Sequence, residues 1–160
     1  MIALTGTPGT GKTEVASVLE KRGYSVLRIQ EFVREQKLWE GRDEKRNCLI
    51  VDPEKISDRI EELGLRFDIA ECHLSHYLRG VRGVAVLRCD PEVLKKRLEK
   101  RGWNPEKVRE NVECEIIGLI AWEAREMHDR VIEIDTTEKT PEETAREVER
   151  FIKYIFSGRE

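Results

Sequence analysis

Residues 6–13 read Gly6-Thr7-Pro8-Gly9-Thr10-Gly11-Lys12-Thr13, matching G-x-x-x-x-G-K-[ST] at every specified position. The preceding Met1-Ile2-Ala3-Leu4-Thr5 is short and apolar, as a buried strand is. The following Glu14 to Lys21 carries Val15, Val18 and Leu19 at helical spacing. Strand, glycine loop and helix in that order make a phosphate cradle. Glycines let backbone N–H groups converge on one anion, and a helix starting near Lys12 aims its positive end at the same point. In such a cradle the lysine amine reaches the β- and γ-phosphates, and the hydroxyl of Thr13 takes a place on Mg²⁺. The chain is expected to bind a nucleoside triphosphate.

Around this loop, strands and helices alternate, which predicts an α/β fold with a parallel sheet covered by helices on both faces. Tyr24 to Ile29 reads as a second strand, Gln30 to Lys37 as a short helix and Trp39 to Asn47 as a charged loop. Cys48-Leu49-Ile50-Val51 is extended, and Pro53 to Leu63 is helical. Strands follow at Arg66 to Glu71 and Gly83 to Cys89, then helices at Pro91 to Arg101 and, as one long element, Pro105 to His128. Val131 to Ile134 is the last strand and Pro141 to Phe156 the closing helix. Pro53, Pro91, Pro105 and Pro141 each follow a capping residue, namely Asp52, Asp90, Asn104 and Thr140. Proline suits the first helical position, and the preceding side-chain oxygen accepts from free N–H groups of the first turn.

Composition narrows the setting. A chain of 160 residues suits one domain, 1–160, with a real core. Its 38% charged residues are interspersed and the net charge is −3, which argues against a nucleic-acid binder held by charge alone. Lys95, Lys96, Lys100, Arg79, Arg82 and Arg88 are a candidate basic patch for RNA, but read more simply as solvated surface. No apolar run approaches a membrane span and the first strand begins at Met1, so a cytoplasmic protein without membrane contact is expected. The four cysteines, Cys48, Cys72, Cys89 and Cys114, form no C-x-x-C pair and read as reduced, small hydrophobes. Cys72-His73 with His76 lacks a second ligand pair at zinc-finger spacing.

Reaction chemistry needs further groups. Arg97 and Arg101 stand at i, i+4 on one helical face before a break at Gly102 to Asn104, like an arginine-tipped lid that neutralises charge on a transferred phosphoryl group. A magnesium acid belongs at the end of a strand beside the loop strand. Glu71 is at the carboxyl end of its strand, while Asp68, in mid-strand, is the lesser candidate. His73, two residues on, is placed to orient water or touch the γ-phosphate.

These segments carry a resemblance. The phosphate loop, Arg34 within Val-Arg-Glu-Gln-Lys-Leu-Trp-Glu-Gly, Arg97-Leu-Glu-Lys-Arg-Gly-Trp-Asn and Asn111-Val-Glu-Cys-Glu-Ile resemble the adenylate kinase isoenzyme 6 family of archaea and eukaryotes. The likeness runs from the first strand to Pro141. It implies an adenylate-kinase-like P-loop fold: a five-stranded parallel sheet, a short monophosphate-binding segment near 29–52 and a short lid near 100–110. It implies Mg²⁺-dependent transfer from ATP to AMP, giving ADP, with slow ATP hydrolysis. It also implies a small-subunit platform ribosomal protein as partner, contact with pre-rRNA, a role in small-subunit maturation, and a monomer. By position, Gly9, Thr10, Gly11, Lys12, Thr13 and the backbone N–H of Glu14 would bind the ATP phosphates. Arg101 would be the lid arginine and Arg34 would face the acceptor, with Arg42 and Arg46 also available to its phosphate. Glu71 and His73 fall on the family's Asp-x-His, with Glu where Asp is usual. Two readings follow: a metabolic phosphotransferase, or an ATP-driven assembly switch whose acceptor is water.

Overall fold

The computed structural model describes residues 1–157; the end of the 1–160 unit, residues 158–160, lies outside the described residues. The strands are β1 (Ile2–Gly6), β2 (Val26–Arg28), β3 (Trp39–Asp43), β4 (Cys48–Val51), β5 (Ile69–Glu71), β6 (Gly83–Arg88) and β7 (Val131–Asp135). The helices are α1 (Lys12–Lys21), α2 (Ile29–Gln36), α3 (Pro53–Glu62), α4 (Pro91–Lys100), α5 (Pro105–Ile117), α6 (Leu119–Met127) and α7 (Pro141–Ser157). Five strands form a parallel sheet in the order β2-β5-β1-β6-β7, with β1 at its centre. No helix among the described residues is long and apolar enough to cross a membrane.

Side-chain alternation divides β1 between two cores, as the period-two geometry of a strand requires. Ile2 and Leu4 pack with Val15, Leu19, Val148, Phe151 and Ile155 under α1 and α7. Ala3 points the other way, towards Val84, Val86, Ala121 and Ala124 under α6. A central strand buried on both faces has no polar position to spare, hence its unbroken apolar sequence. Each fully buried Leu or Ile contributes roughly 1.5–3 kcal/mol. The sheet is thus covered on both faces, the arrangement expected of an adenylate-kinase-like P-loop fold.

The capping residues do what their position before proline predicts. Asp52 accepts from Glu54 N at 3.0 Å, Asp90 from Glu92 N at 3.0 Å, Asn104 from Lys107 N at 2.8 Å and Thr140 from Glu143 N at 3.2 Å.

Three segments differ from the sequence expectation. The stretch read as a charged loop, Trp39 to Asn47, contains β3, which pairs antiparallel with β4 in a separate two-stranded hairpin. Its turn is closed by Asp43, whose carboxylate accepts from Arg46 N, and by Asn47 with a φ of 50°. The long helix read over Pro105 to His128 is broken at Gly118, which has a φ of 71° and ends α5. A side chain at Gly118 would press within 3.3 Å of the Arg88 guanidinium. Finally, β5 begins at Ile69, leaving Asp68 before the strand rather than inside it.

Register aligns the ends that matter. Leu4 pairs with Glu71 across β1 and β5, and Gly6 with Leu87 across β1 and β6. The phosphate loop and the Glu71–His73 turn therefore leave the sheet at one carboxyl edge, where ligands bind in open α/β sheets.

Candidate active site

The loop between β1 and α1 turns back on itself directly after the strand. Gly6 has a φ of 144°, and a Cβ there would lie 2.6 Å from Leu87 O, so only glycine fits. Gly11 is the N-cap of α1 in the left-handed region, which leaves the first-turn N–H groups facing outward. Lys12 is 8% exposed and folded over the loop, its Nζ donating to Gly6 O at 2.7 Å and Thr7 O at 3.0 Å. Burial lowers its pKa to about 8, against the raising pull of Cys72 and Glu71. The loop is also tied from three other elements. Thr136, just past β7, donates to Thr10 O at 2.7 Å; Arg97 of α4 donates to Gly9 O at 3.2 Å; and Thr7 donates to Glu115 of α5 at 2.6 Å.

A cavity of about 850 Å³ opens in front of this loop. It is lined by Gly9, Gly11, Lys12 and Thr13 of the loop and by Glu71, His73 and Arg101. Glu71 is paired loosely with Arg28, 3.9 Å away on the neighbouring strand. Burial raises the Glu71 pKa, while Lys12 and Arg28 draw it down. His73 is held near pKa 4 by burial, with Lys12 and His76 pushing the same way, so its imidazole is neutral at physiological pH. Burial also pushes the Cys72 thiol up to about 11, which makes it an inert neighbour. The same cavity is also lined by Arg34, Arg42 and Arg46, the last of them paired with Asp43 and Glu110 at 3.1 Å each.

The sequence candidates do not all converge. Thr13 is solvent-exposed at the head of α1, while Thr10 is buried with its hydroxyl donating to Thr7 O at 2.8 Å. Glu14 follows Thr13 in the first turn, its side chain exposed. Asp68 is at the opposite end of the sheet, where its carboxylate accepts from Ser25 N at 2.8 Å and Ser25 Oγ at 3.0 Å. It stitches β2 to β5, and Glu71 is the carboxyl group beside the loop. Arg97 and Arg101, read as one arginine face, have separate surroundings: Arg97 binds loop backbone, whereas Arg101 is exposed and lines the cavity. His76 is fully buried between Thr5 Oγ1 at 3.2 Å and Glu123 Oε2 at 3.0 Å, away from any shared ligand set with Cys72 and His73. The candidate basic patch is dispersed. Arg79 is ringed by Glu54, Asp58 and Glu61, and Arg82 and Arg88 flank opposite ends of β6.

Other contributors escaped the sequence reading. Lys107 and Asn111 of α5 line the cavity, with the Lys107 amine 3.9 Å from the Trp103 ring centroid. Thr136 and Glu115 reach the loop from more than a hundred residues away; Asn111 and Glu115 fall within the Asn111-Val-Glu-Cys-Glu-Ile stretch, to which the sequence assigns no role at the site, and no local pattern marks Thr136. The described residues contain no group of three His, Cys, Asp or Glu side chains that would hold a metal by themselves. One hydroxyl, one carboxylate and otherwise phosphate and water oxygens are what a nucleotide-borne Mg²⁺ needs, so Thr13 and Glu71 fit that ion.

Comparison with known proteins bears on the chemistry. Residues 2–118 match the family described as "AAA domain". The chain is 46% identical, over its full length and 90% of the relative, to "Putative adenylate kinase" of Methanosarcina acetivorans. Proteins of the same name from Archaeoglobus fulgidus and Pyrococcus abyssi are 44% and 41% identical, each across 96% of this chain and 82% and 84% of their own lengths. A solved structure of YorR protein in complex with phosphorylated GDP, from Bacillus subtilis, shares the fold at a TM-score of 0.64 and 17% identity, covering 99% of both chains. With a formed phosphate loop and this identity along nearly its whole length, the chain belongs to the archaeal adenylate kinase family of P-loop enzymes.

Proposed function

We propose that the chain transfers the γ-phosphoryl group of Mg²⁺·ATP to AMP, giving two ADP, and hydrolyses ATP slowly when AMP is absent. The observation that carries this reading is one cavity lined both by the phosphate loop and by Arg34, Arg42 and Arg46. Two anionic groups can thus meet there, with their repulsion cancelled by both sets of groups. In this reading the 29–52 segment is the acceptor arm and 100–110 the lid of a single unit. Loop N–H groups and Lys12 hold the β- and γ-phosphates, and Arg34 orients the AMP phosphate. An oxygen of that phosphate attacks the γ-phosphorus as the bond to the β-bridging oxygen breaks, and Arg101 neutralises the charge that develops. Thr13 and Glu71 would hold magnesium, which when bound would supply charge neutralisation for the transferred phosphoryl group. The neutral His73 is available to hold a water in line when AMP is absent. The test is incubation of pure protein with Mg²⁺·ATP, with and without AMP, and separation of the products. ADP at two per ATP consumed in the presence of AMP is the expected result; no ADP in either arm overturns the reading.

A second reading is an ATP-driven assembly switch acting on a ribosomal protein of the small subunit, with pre-rRNA nearby. It is favoured by the exposed apolar side chains of Ile116, Ile117 and Trp122, at 65%, 74% and 61%, around the α5–α6 break beside the site. ADP release at equal rates with and without AMP would support it over transfer.

A further inference from the structure

Glu115 is the only buried carboxyl side chain among the described residues, at 2% exposure, and neither the transfer nor the hydrolysis scheme assigns it a part. Its two oxygens are fully engaged. Oε2 accepts from Thr7 Oγ1 at 2.6 Å, while Oε1 accepts from Arg88 Nε at 2.6 Å and from Cys89 N at 3.2 Å. Arg88 also donates at 2.9 Å to the Glu115 carbonyl in the last turn of α5, which accepts from Gly118 N as well, and to Glu133 at 2.5 Å. An ion pair between this buried carboxylate and the half-buried Arg88 adds little net stability over an apolar replacement, so its consequence lies in what it fixes. What it fixes is Thr7. The Thr7 carbonyl accepts from Lys12 Nζ at 3.0 Å and from Thr10 Oγ1 at 2.8 Å. The chain of contacts therefore runs from Arg88 through Glu115 and Thr7 to the loop lysine. Its origin, α5, begins directly after the Gly102–Asn104 turn, and Glu115 lies about 15 Å along that helix from Pro105 at 1.5 Å per residue.

We propose that Glu115 is a positioning residue: through the Thr7 hydroxyl it sets the corner of the phosphate loop that presents Lys12 to ATP, and so joins the lid-bearing helix to the triphosphate subsite. The proposal rests on the reading of this loop as an ATP site. Calorimetric titration of Mg²⁺·ATP into the wild type tests that reading first, and absence of binding there overturns both. If the wild type binds, Thr7→Val, which removes the hydroxyl at nearly constant volume, should raise Kd about tenfold, and Thr7→Ser should return it to within about threefold. Glu115→Gln should raise Kd similarly, and the double variant should be no worse than the poorer single one, since both cut the same contact. AMP titrated alone should bind all variants as it binds the wild type. A wild-type Kd in Thr7→Val, additive penalties in the double variant, or a reduced binding stoichiometry at wild-type Kd would each overturn the proposal. Should Glu115→Gln fail to fold, the Thr7 pair decides the matter alone.

Discussion

The phosphate loop and the β3–β4 hairpin, which line one cavity, are built in opposite ways. At the phosphate loop, Thr7 donates to buried Glu115, while Thr136, Lys12 and half-buried Arg97 donate to loop carbonyls. The β3–β4 hairpin shares no strand pairing with the main sheet and bears mostly exposed or half-exposed side chains. It reaches α5 through the solvent-exposed ion pairs Lys45–Glu106 at 3.0 Å and Arg46–Glu110 at 3.1 Å. Buried hydrogen bonds fix geometry because breaking them strands a polar group, whereas exposed ion pairs form and break at little cost. The loop is thus fixed by buried contacts, whereas the hairpin, anchored by Leu49 and Val51 on the core beside α2, meets α5 only through exposed pairs.

The largest expected effect strikes the loop. Lys12→Ala should lower both transfer and hydrolysis on the order of a thousandfold, since both reactions load charge onto the same phosphoryl oxygens. Initial rates of ADP formation with and without AMP check this, and survival of either activity would mean that the loop does not hold the reacting phosphate. Arg34→Ala, on α2, should act on the proposed acceptor alone. KM for AMP should rise about thirtyfold, with ATP hydrolysis in the absence of AMP unchanged within about twofold, because the contact serves only one substrate. Equal loss in both assays would erase the distinction between the loop and the acceptor groups.

The same contrast explains what could be read from the sequence. The phosphate loop was legible because a backbone turn that wraps phosphate needs glycines at fixed offsets, and Gly6, Gly9 and Gly11 are local to one another. The sheet was legible because buried parallel strands are unbroken apolar runs, and the proline-capped helix starts mark the elements between them. The hairpin was hidden because Trp39-Glu40-Gly41-Arg42-Asp43 packs no apolar face on the main sheet, so its period-two signal is absent. The helix break at Gly118 was hidden because a glycine inside a helical pattern is usually tolerated, and the Arg88 guanidinium that needs the space lies thirty residues earlier. Asp68 looked like a magnesium candidate only because strand boundaries are uncertain by a residue or two; beginning β5 at Ile69 moves it to the wrong edge.

The water-orienting role proposed for His73 predicts a difference between water and AMP as acceptor. His73→Ala should lower hydrolysis about tenfold and transfer no more than about threefold, because AMP is held by its own arginines while a water needs a side chain to aim it. With its pKa near 4, the histidine is neutral throughout the physiological range, so this ratio should stay flat from about pH 6 to pH 8. Equal losses in the two assays would remove the water-orienting role.

Titration sharpens the view of the phosphate loop. In the empty protein Lys12 has a pKa of about 8, and a bound triphosphate favours its ammonium form. Below pH 8 the amine is already charged and ATP affinity should be independent of pH on its account. Above pH 8 binding must take up a proton, and Kd should rise about tenfold between pH 8 and pH 9.5. Calorimetry in buffers of different ionisation enthalpy should record that uptake. Because the pKa lies below the ordinary 10.5, the unfolded chain holds more protons between about pH 8 and 10.5, so this group makes the empty fold more stable, not less, as pH rises there. A falling melting temperature alone therefore cannot account for weaker binding.

The smallest effect belongs to the hairpin. Glu106→Gln with Glu110→Gln removes both carboxylates that draw the hairpin turn towards α5. Exposed pairs contribute little to folding, so the melting temperature should stay within about two degrees of wild type. Closure over the acceptor should weaken instead, raising KM for AMP about threefold at low salt while leaving KM for ATP unchanged. Raising the ionic strength should shrink the difference, because at about 0.5 M salt the wild-type pairs are themselves screened. A loss that persists at high salt, or one that falls on ATP, would mean the hairpin is as firmly built as the loop, and the contrast between buried and exposed anchoring would be lost.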